Sequence, residues 1–361
     1  MREVPEVVVI GILPPPVTGM SLVVDRMTEL LGRKWRVRVL NLSNGFAPDS
    51  LRCRIGKFLR FWSALGRLAA WSIRGRFRIY FAPDSGFGMY YNLLVVLIAC
   101  AGRHPVILHH EAYAYTARFD RRMDWITKLL GTRALHVLLC DSMLRQFVER
   151  YPAAVNCIVL SNSFAVVGIG TKAPRQRAAL VLGHISNLSV EKGFDLVLRT
   201  FEAAREEGLD LRLRLAGPTR SAVEARMLAD VLKRHSGRVH YVGPVYGVDK
   251  EAFYDAIDLV LFPTRYRNEA DPLVLLEALD HGVPVIAYSR GCIQEHVPAE
   301  AGCVVDADED FSERALAVIR DYVSSPAKLD RASEDAIRYV PKMRDRAHAA
   351  LEGVLSAIGS L

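Results

Sequence analysis

Two glutamates, Glu269 and Glu277, sit on either side of an Asp271-Pro272 pair in the stretch FPTRYRNEADPLVLLEALDHGVPVIAYSRG, residues 262–291. An apolar run ends just before them and another begins just after, with a helical pattern between. Asp271 reads as an N-cap and Pro272 as the first helical residue, since proline has no N–H to lose there. The helix LVLLEALDHG then stops near Gly282. A helix start carries unpaired amides and partial positive charge, so the N–H groups of Leu273 and Val274 can cradle a phosphate. Glu269, in the loop before them, would reach whatever that phosphate carries. Glu277, about one and a half turns into the helix, suits vicinal hydroxyls. Two solvated carboxylates would explain the residue types equally well; the strand, cap, helix and strand around them favour the chemical reading.

Three further stretches carry chemistry. In LGHISNLSVEKGFDLVLRTF, residues 182–201, Asn187 and the Lys192-Gly193 pair follow an apolar run. A cation and an amide donor there suit a diphosphate. In VILHHEAYAY, His109, His110 and Glu111 end another run. A histidine there can hydrogen-bond a hydroxyl or a phosphate, and Glu111 can orient an acceptor. Neighbours on an extended chain point to opposite faces, which disfavours joint metal ligation. In GILPPPVTGMSLV, three prolines precede Gly19 without the Gly-x-Gly-x-x-Gly fingerprint, which counts against a nicotinamide enzyme. A stiff proline turn with one permissive glycine lets the backbone approach a ligand closely.

These residues need elements to hold them. Apolar runs at 7–13, 36–42, 78–83, 105–110, 136–140 and 157–162 alternate with amphipathic stretches. The rhythm restarts after a break at Ser163 to Arg177, with runs at 178–186, 211–217, 239–243, 259–264 and 283–289. Such alternation implies parallel sheets covered on both faces, and 361 residues, 51% of them hydrophobic, suffice for two domains. The expected organisation is two Rossmann-like domains, one over 1–164 and one over 165–338. A C-terminal helix over 339–361 can pack on either half, crossing back to the first. The two domains are expected to face a central cleft. The longest apolar run, Met89 to Ala101, is too short to cross a bilayer and reads as a buried helix.

The net charge of +7 is concentrated: from Ser50 to Pro83 there are eight basic residues and no acidic one. Within it, Leu51, Ile55, Phe58, Leu59, Trp62, Leu65 and Ala69 share one helical face with Arg52, Lys57, Arg60 and Arg67 around it. That is the pattern of a helix lying on an anionic membrane surface, with membrane contact assigned to Arg52, Lys57, Arg60 and Trp62. A helix packing its apolar face on a sheet is the alternative. Nucleic acid is disfavoured, because no recognition motif accompanies the charge. Six cysteines without a Cys-x-x-Cys pair and an N-terminus without a signal-peptide pattern point to the cytoplasm, with an option of peripheral attachment to the inner membrane face.

With the residues of 182–201 and 262–291 in view, the chain resembles the retaining glycosyltransferases of family 4, which have the GT-B fold. The resemblance covers nearly the whole chain and is strongest from Val181 to Val297. It implies that Glu269 sits at the donor sugar, Glu277 binds the nucleotide ribose, Lys192 contacts the diphosphate and the loop PPPVTGMS closes over the donor at Gly19. It also implies front-face transfer, with retention, from a UDP- or GDP-sugar to a glycan or lipid-linked acceptor hydroxyl, without metal or cofactor. Polysaccharide, lipopolysaccharide or glycolipid assembly is the expected setting. The catalytic set becomes Glu269, His110 and Lys192; Gly19, Asn187, Lys192, Leu273, Val274 and Glu277 bind donor; His109 and Glu111 serve the acceptor. Two departures stand out: Asn187 is the nearest match to the family's arginine, and Asp271-Pro272 replaces its Phe-Gly. Rival readings are a GT-B-like nucleotide-sugar epimerase and a non-catalytic sugar-nucleotide-binding module; a two-carboxylate hydrolase fits the spacing poorly.

Overall fold

A computed structural model describes residues 6–43, 51–166 and 178–361, and within 51–57 it leaves several side chains undescribed. The predicted break at Ser163 to Arg177 therefore falls largely outside the described residues. The chain divides into two compact units, one made of Met1–Ala165 with Arg346–Leu361, the other of Val166–Asp345.

The first unit runs β1 (Glu6–Gly11), α1 (Gly19–Gly32), β2 (Arg36–Asn41), α2 (Leu51–Arg74), β3 (Arg78–Phe81), α3 (Gly88–Ala101), β4 (Val106–His109), α4 (Ala114–Ala117), α5 (Arg121–Leu130), β5 (Ala134–Leu138), α6 (Asp141–Arg150) and β6 (Cys157–Val159). Its strands form one parallel sheet in the order β2-β1-β3-β4-β5-β6. The winding reverses between β1 and β3, so a crevice opens beyond their carboxyl ends. Val7, Val8 and Val9 are fully buried, as expected of a strand covered on both faces.

The second unit runs β7 (Leu180–Ile185), α7 (Phe194–Glu206), β8 (Leu211–Ala216), α8 (Ala222–Arg234), β9 (Val239–Tyr241), α9 (Val248–Asp255), β10 (Leu259–Phe262), α10 (Leu273–Asp280), β11 (Val285–Tyr288), α11 (Ile293–His296), β12 (Gly302–Val305) and α12 (Phe311–Ser324). Its six strands are parallel in the order β12-β11-β10-β7-β8-β9, reversing between β7 and β10. Alternation along β10 supplies two cores: Leu259 and Leu261 join Phe194 and Phe311 on one face, while Val260 and Phe262 join Phe253 and Leu279 on the other.

A last helix, α13 (Pro326–Ser360), serves both units. Leu329, Ala336 and Val340 are buried in the cores of the second unit. Leu351, Val354, Leu355 and Ile358 are buried in the first, where Lys34 pairs with Glu352 and Arg78 donates to the Gly359 carbonyl. The helix starts well before the expected residue 339 and continues through Pro341.

Two helices differ from expectation in how they are buried. In α2 the buried side chains are Phe61, Ala64 and Leu68, whereas Ile55, Phe58, Leu59 and Trp62 are exposed. The buried face is not the predicted stripe. In α3, Met89, Val95 and Val96 are buried, but Tyr90, Tyr91 and Leu97 are not. No helix of the described residues is long and apolar enough to cross a membrane.

Candidate functional site

The carboxyl ends of β7 and β10, neighbours at the reversal of the second sheet, deliver the charged residues. Beyond β7 the chain makes a short turn over Val190–Lys192, with the Ser189 hydroxyl capping the Lys192 amide, and α7 begins at Phe194. Gly193 joins them at φ +81°, and a Cβ there would lie 2.1 Å from the Pro263 carbonyl oxygen. Only glycine lets the two loops come this close.

Across that contact Lys192 Nζ meets Glu269 Oε2 at 2.5 Å. Thr264 Oγ1 donates to the same oxygen at 2.9 Å, and Lys192 lies 4.6 Å above the Tyr266 ring. The carboxylate is buried and the ammonium nearly so, which makes this pair far less screened than a surface ion pair. The loop is fastened further by Arg265, whose guanidinium pairs with Asp195 of α7. Gly291, at φ +58°, packs against the Ala270 carbonyl, and no side chain would fit between them. The pair can therefore hold opposite charges at a fixed place and exchange partners when an anion arrives.

Behind it, His184 is fully buried near the end of β7. Its Nδ1 donates to the Leu261 carbonyl at 2.8 Å, which leaves Nε2 to accept from Ser186 Oγ at 2.9 Å. Burial, with the Lys192 charge adding to it, pushes its pKa down to about 4. Asn187 follows Ser186 directly, at the edge of the same strand end.

The start of α10 departs from expectation by one residue. Pro272, at φ −71° and ψ 118°, is extended and precedes the helix, so Asp271 is not the N-cap. Its carboxylate instead meets His296 Nδ1 at 2.8 Å. The first-turn amides of Leu273 and Val274 are where the sequence placed them, and Gly282, at φ +63°, lies just past the helix end.

Glu277 is not an open carboxylate. Lys250 Nζ donates to Oε1, and Tyr254 Oη donates to Oε2 at 2.9 Å. Burial, then the Glu277 charge, raises the Tyr254 pKa well above its ordinary value, so the phenol stays a donor. Lys250 and Tyr254 are one turn apart on α9. They escaped the sequence reading along with Thr264 and Tyr266; the Lys-x3-Tyr spacing was the available signal.

In the first unit the two histidines point apart. His109 Nδ1 lies 2.7 Å from Tyr80 Oη, and Nε2 is 3.3 Å from Glu111 Oε1. Glu111 also accepts from Asn162 at 3.0 Å. His110 lies among Tyr115, His136 and Phe147, with Nδ1 3.0 Å from Tyr115 Oη and Nε2 3.0 Å from His136 Nδ1. Burial, then neighbouring His136 and His109, keeps its pKa well below normal. Both ring nitrogens are engaged, so the expected catalytic role gives way to packing. Gly19 is exposed at the first position of α1, where Thr18 and Ser21 form a capping box. Arg60 donates to the Ser43 carbonyl, and Trp62 is exposed; the side chains of Arg52 and Lys57 lie outside those described.

Two tandem, parallel, doubly wound sheets of this order define the GT-B fold. HepE (Alr3699) of Anabaena, solved with UDP and glucose, superposes with a TM-score of 0.71 at 15% identity over 99% of this chain and all of that one. Sucrose-phosphate synthase of Thermosynechococcus elongatus does so with a TM-score of 0.69 at 17% identity, over 98% of both chains. Within the fold, residues 179–321, most of the second unit, match the family model described as glycosyl transferases group 1. A curated relative, glycogen synthase of Rhodopseudomonas palustris (strain BisA53), is 36% identical over 134 residues, spanning 36% of this chain and about a quarter, 24%, of that protein.

Proposed function

We propose that the protein is a retaining glycosyltransferase that moves a sugar from a UDP- or GDP-sugar to an acceptor hydroxyl without a metal. The observation that carries this reading is the Lys192–Glu269 pair at the sheet reversal, within the residues that match the group 1 model. HepE has been solved with UDP-glucose, which supports a nucleotide-sugar donor. On arrival of the donor, Lys192 turns from Glu269 to the diphosphate, joined by Asn187 and the Leu273 and Val274 amides. Glu269 is left facing the sugar, and Glu277 accepts from the ribose diol while Lys250 and Tyr254 hold it. Charge that develops on the leaving diphosphate is met by groups already in place, commonly the largest catalytic contribution. The diphosphate takes the acceptor proton in a front-face displacement.

Gly19 remains a proposed donor contact, and His109 and Glu111 keep a proposed acceptor role; His110 is left out. The acceptor is a glycan or a lipid-linked precursor in polysaccharide, lipopolysaccharide or glycolipid assembly, at the cytoplasmic face of a membrane. The test is a panel of nucleotide sugars scored for slow release of free nucleotide by wild type and Glu269→Ala. One donor hydrolysed by wild type, with at least a hundredfold loss in the variant, is the expected result. Donor binding without turnover by either protein, even with acceptor extracts, would instead favour a binding module.

A further inference from the structure

We propose that α2, α3 and α5 of the first unit together form a docking face for the surface of an anionic lipid bilayer. This goes beyond the donor site, rests on none of its residues and would survive its failure.

The starting point is that α2 has two apolar sides. One is buried, through Phe61, Ala64 and Leu68. The other carries Phe58, Leu59, Trp62 and Ile73, spaced by three, four and eleven residues and so aligned along the helix; Leu59 is 61% and Ile73 89% exposed. A helix with only one face to bury would not keep this second one. Beside it, half-exposed Tyr91 of α3 packs on buried Phe61 with ring centroids 4.5 Å apart, and α3 packs on α5. Tyr90 on α3 lies under Arg122 of α5, 5.2 Å from its guanidinium, and exposed Trp125 lies under Arg121 at 5.3 Å. Exposed apolar side chains on three helices packed in sequence, α2 on α3 and α3 on α5, are more than a surface ordinarily scatters.

Charge selects the occupant. From Ser50 to Pro83 no acidic residue offsets the arginines, and Arg67, Arg74 and Arg76 are exposed beside the stripe. The acidic Asp120, which caps α5, and Asp124 within it are already paired with Arg122 and Lys128. A second copy docking here would bring like charges together across a low-dielectric contact. An anionic bilayer takes the arginines at its headgroups and the leucine, isoleucine and tryptophan at the acyl boundary, where aromatic rings with a polar edge also settle.

The full-length protein is tested by co-sedimentation with vesicles of phosphatidylcholine alone or with 30% phosphatidylglycerol (roughly the anionic content that gives a strong surface potential). Binding to anionic vesicles only is expected, with a blue shift and quenching of tryptophan emission by lipids brominated near the headgroup. A Leu59→Ser/Trp62→Ser/Ile73→Ser variant should bind at least tenfold more weakly, and so, separately, should Tyr90→Ser/Trp125→Ser. All these positions are exposed, so circular dichroism melts should match the parent. Equal sedimentation of parent and first variant, equal binding to neutral vesicles, or a stripe-dependent dimer without vesicle binding would each overturn the proposal.

Discussion

Glu277 is held from two sides, and its two donors do separable work. Tyr254 is fully buried, so Tyr254→Phe removes one hydrogen bond to a charged group without opening space, a loss of about 1 to 3 kcal/mol. Lys250 is partly exposed, and its contribution to stability should be smaller. If Glu277 accepts from the ribose diol, loosening it raises the dissociation constant for UDP. We expect several-fold weaker UDP binding by calorimetry in Tyr254→Phe, with a smaller loss for 2′-deoxy-UDP, which keeps only the 3′-hydroxyl; equal loss for both ligands would remove Glu277 from the ribose diol. At this scale the sequence disclosed types more readily than partners. Lys192 and Glu269 lie far apart in the chain but at the ends of adjacent strands, so strand order brings them together. Lys250 and Tyr254 share a helix face in sequence, yet nothing there says which carboxylate they meet. His110 shows the opposite failure: a histidine after a strand looks exposed until Tyr115, His136 and Phe147 close around it.

Elements were more legible, because a parallel strand covered on both faces must be an unbroken apolar run. Most strands are visible that way, and β2 (RVRVLN) and β8 (LRLRLA) by their alternation with arginine; β12 is four residues at a sheet edge, GCVV, and only Val305 is fully buried. The N-terminus of α10 misled because an Asp-Pro pair is also what an extended loop uses, and here His296 claims the aspartate. The strands bury titratable groups as well. His136 in β5 and His184 in β7 have pKa values pushed down by burial to about 4. Both are neutral in the folded protein, while their unfolded counterparts protonate near pH 6.5. As pH falls from 6.5 to 4 the unfolded chain takes up protons that the native one refuses, so stability falls, by up to about 3 kcal/mol per histidine. Below pH 4 these two groups contribute no further slope. Urea denaturation at pH 7, 5.5 and 4.5 should show the decline, and His184→Phe should flatten it despite lowering stability at pH 7. An unchanged slope in that variant would remove His184 as a source.

For the molecule as a whole, α13 is the element that no local pattern fully announced. Its apolar spacing marked a helix near the C-terminus, but not that its first part is buried with one unit and its last part with the other. Leu351, Val354, Leu355 and Ile358 together bury enough apolar surface to contribute about 8 kcal/mol, comparable to the net stability of a domain. Truncation after Asp345 should therefore unfold the first unit. Hydrogen exchange should lose protection in β1 to β6 while β7 to β12 keep theirs; retained protection in β1 to β6 would refute the estimate. The same arrangement sets an order on the ribosome. A nascent chain releases the first six strands long before the helical segment that seals them, so the first unit must stand unfinished, its apolar flank available to chaperones, while the entire second unit is translated.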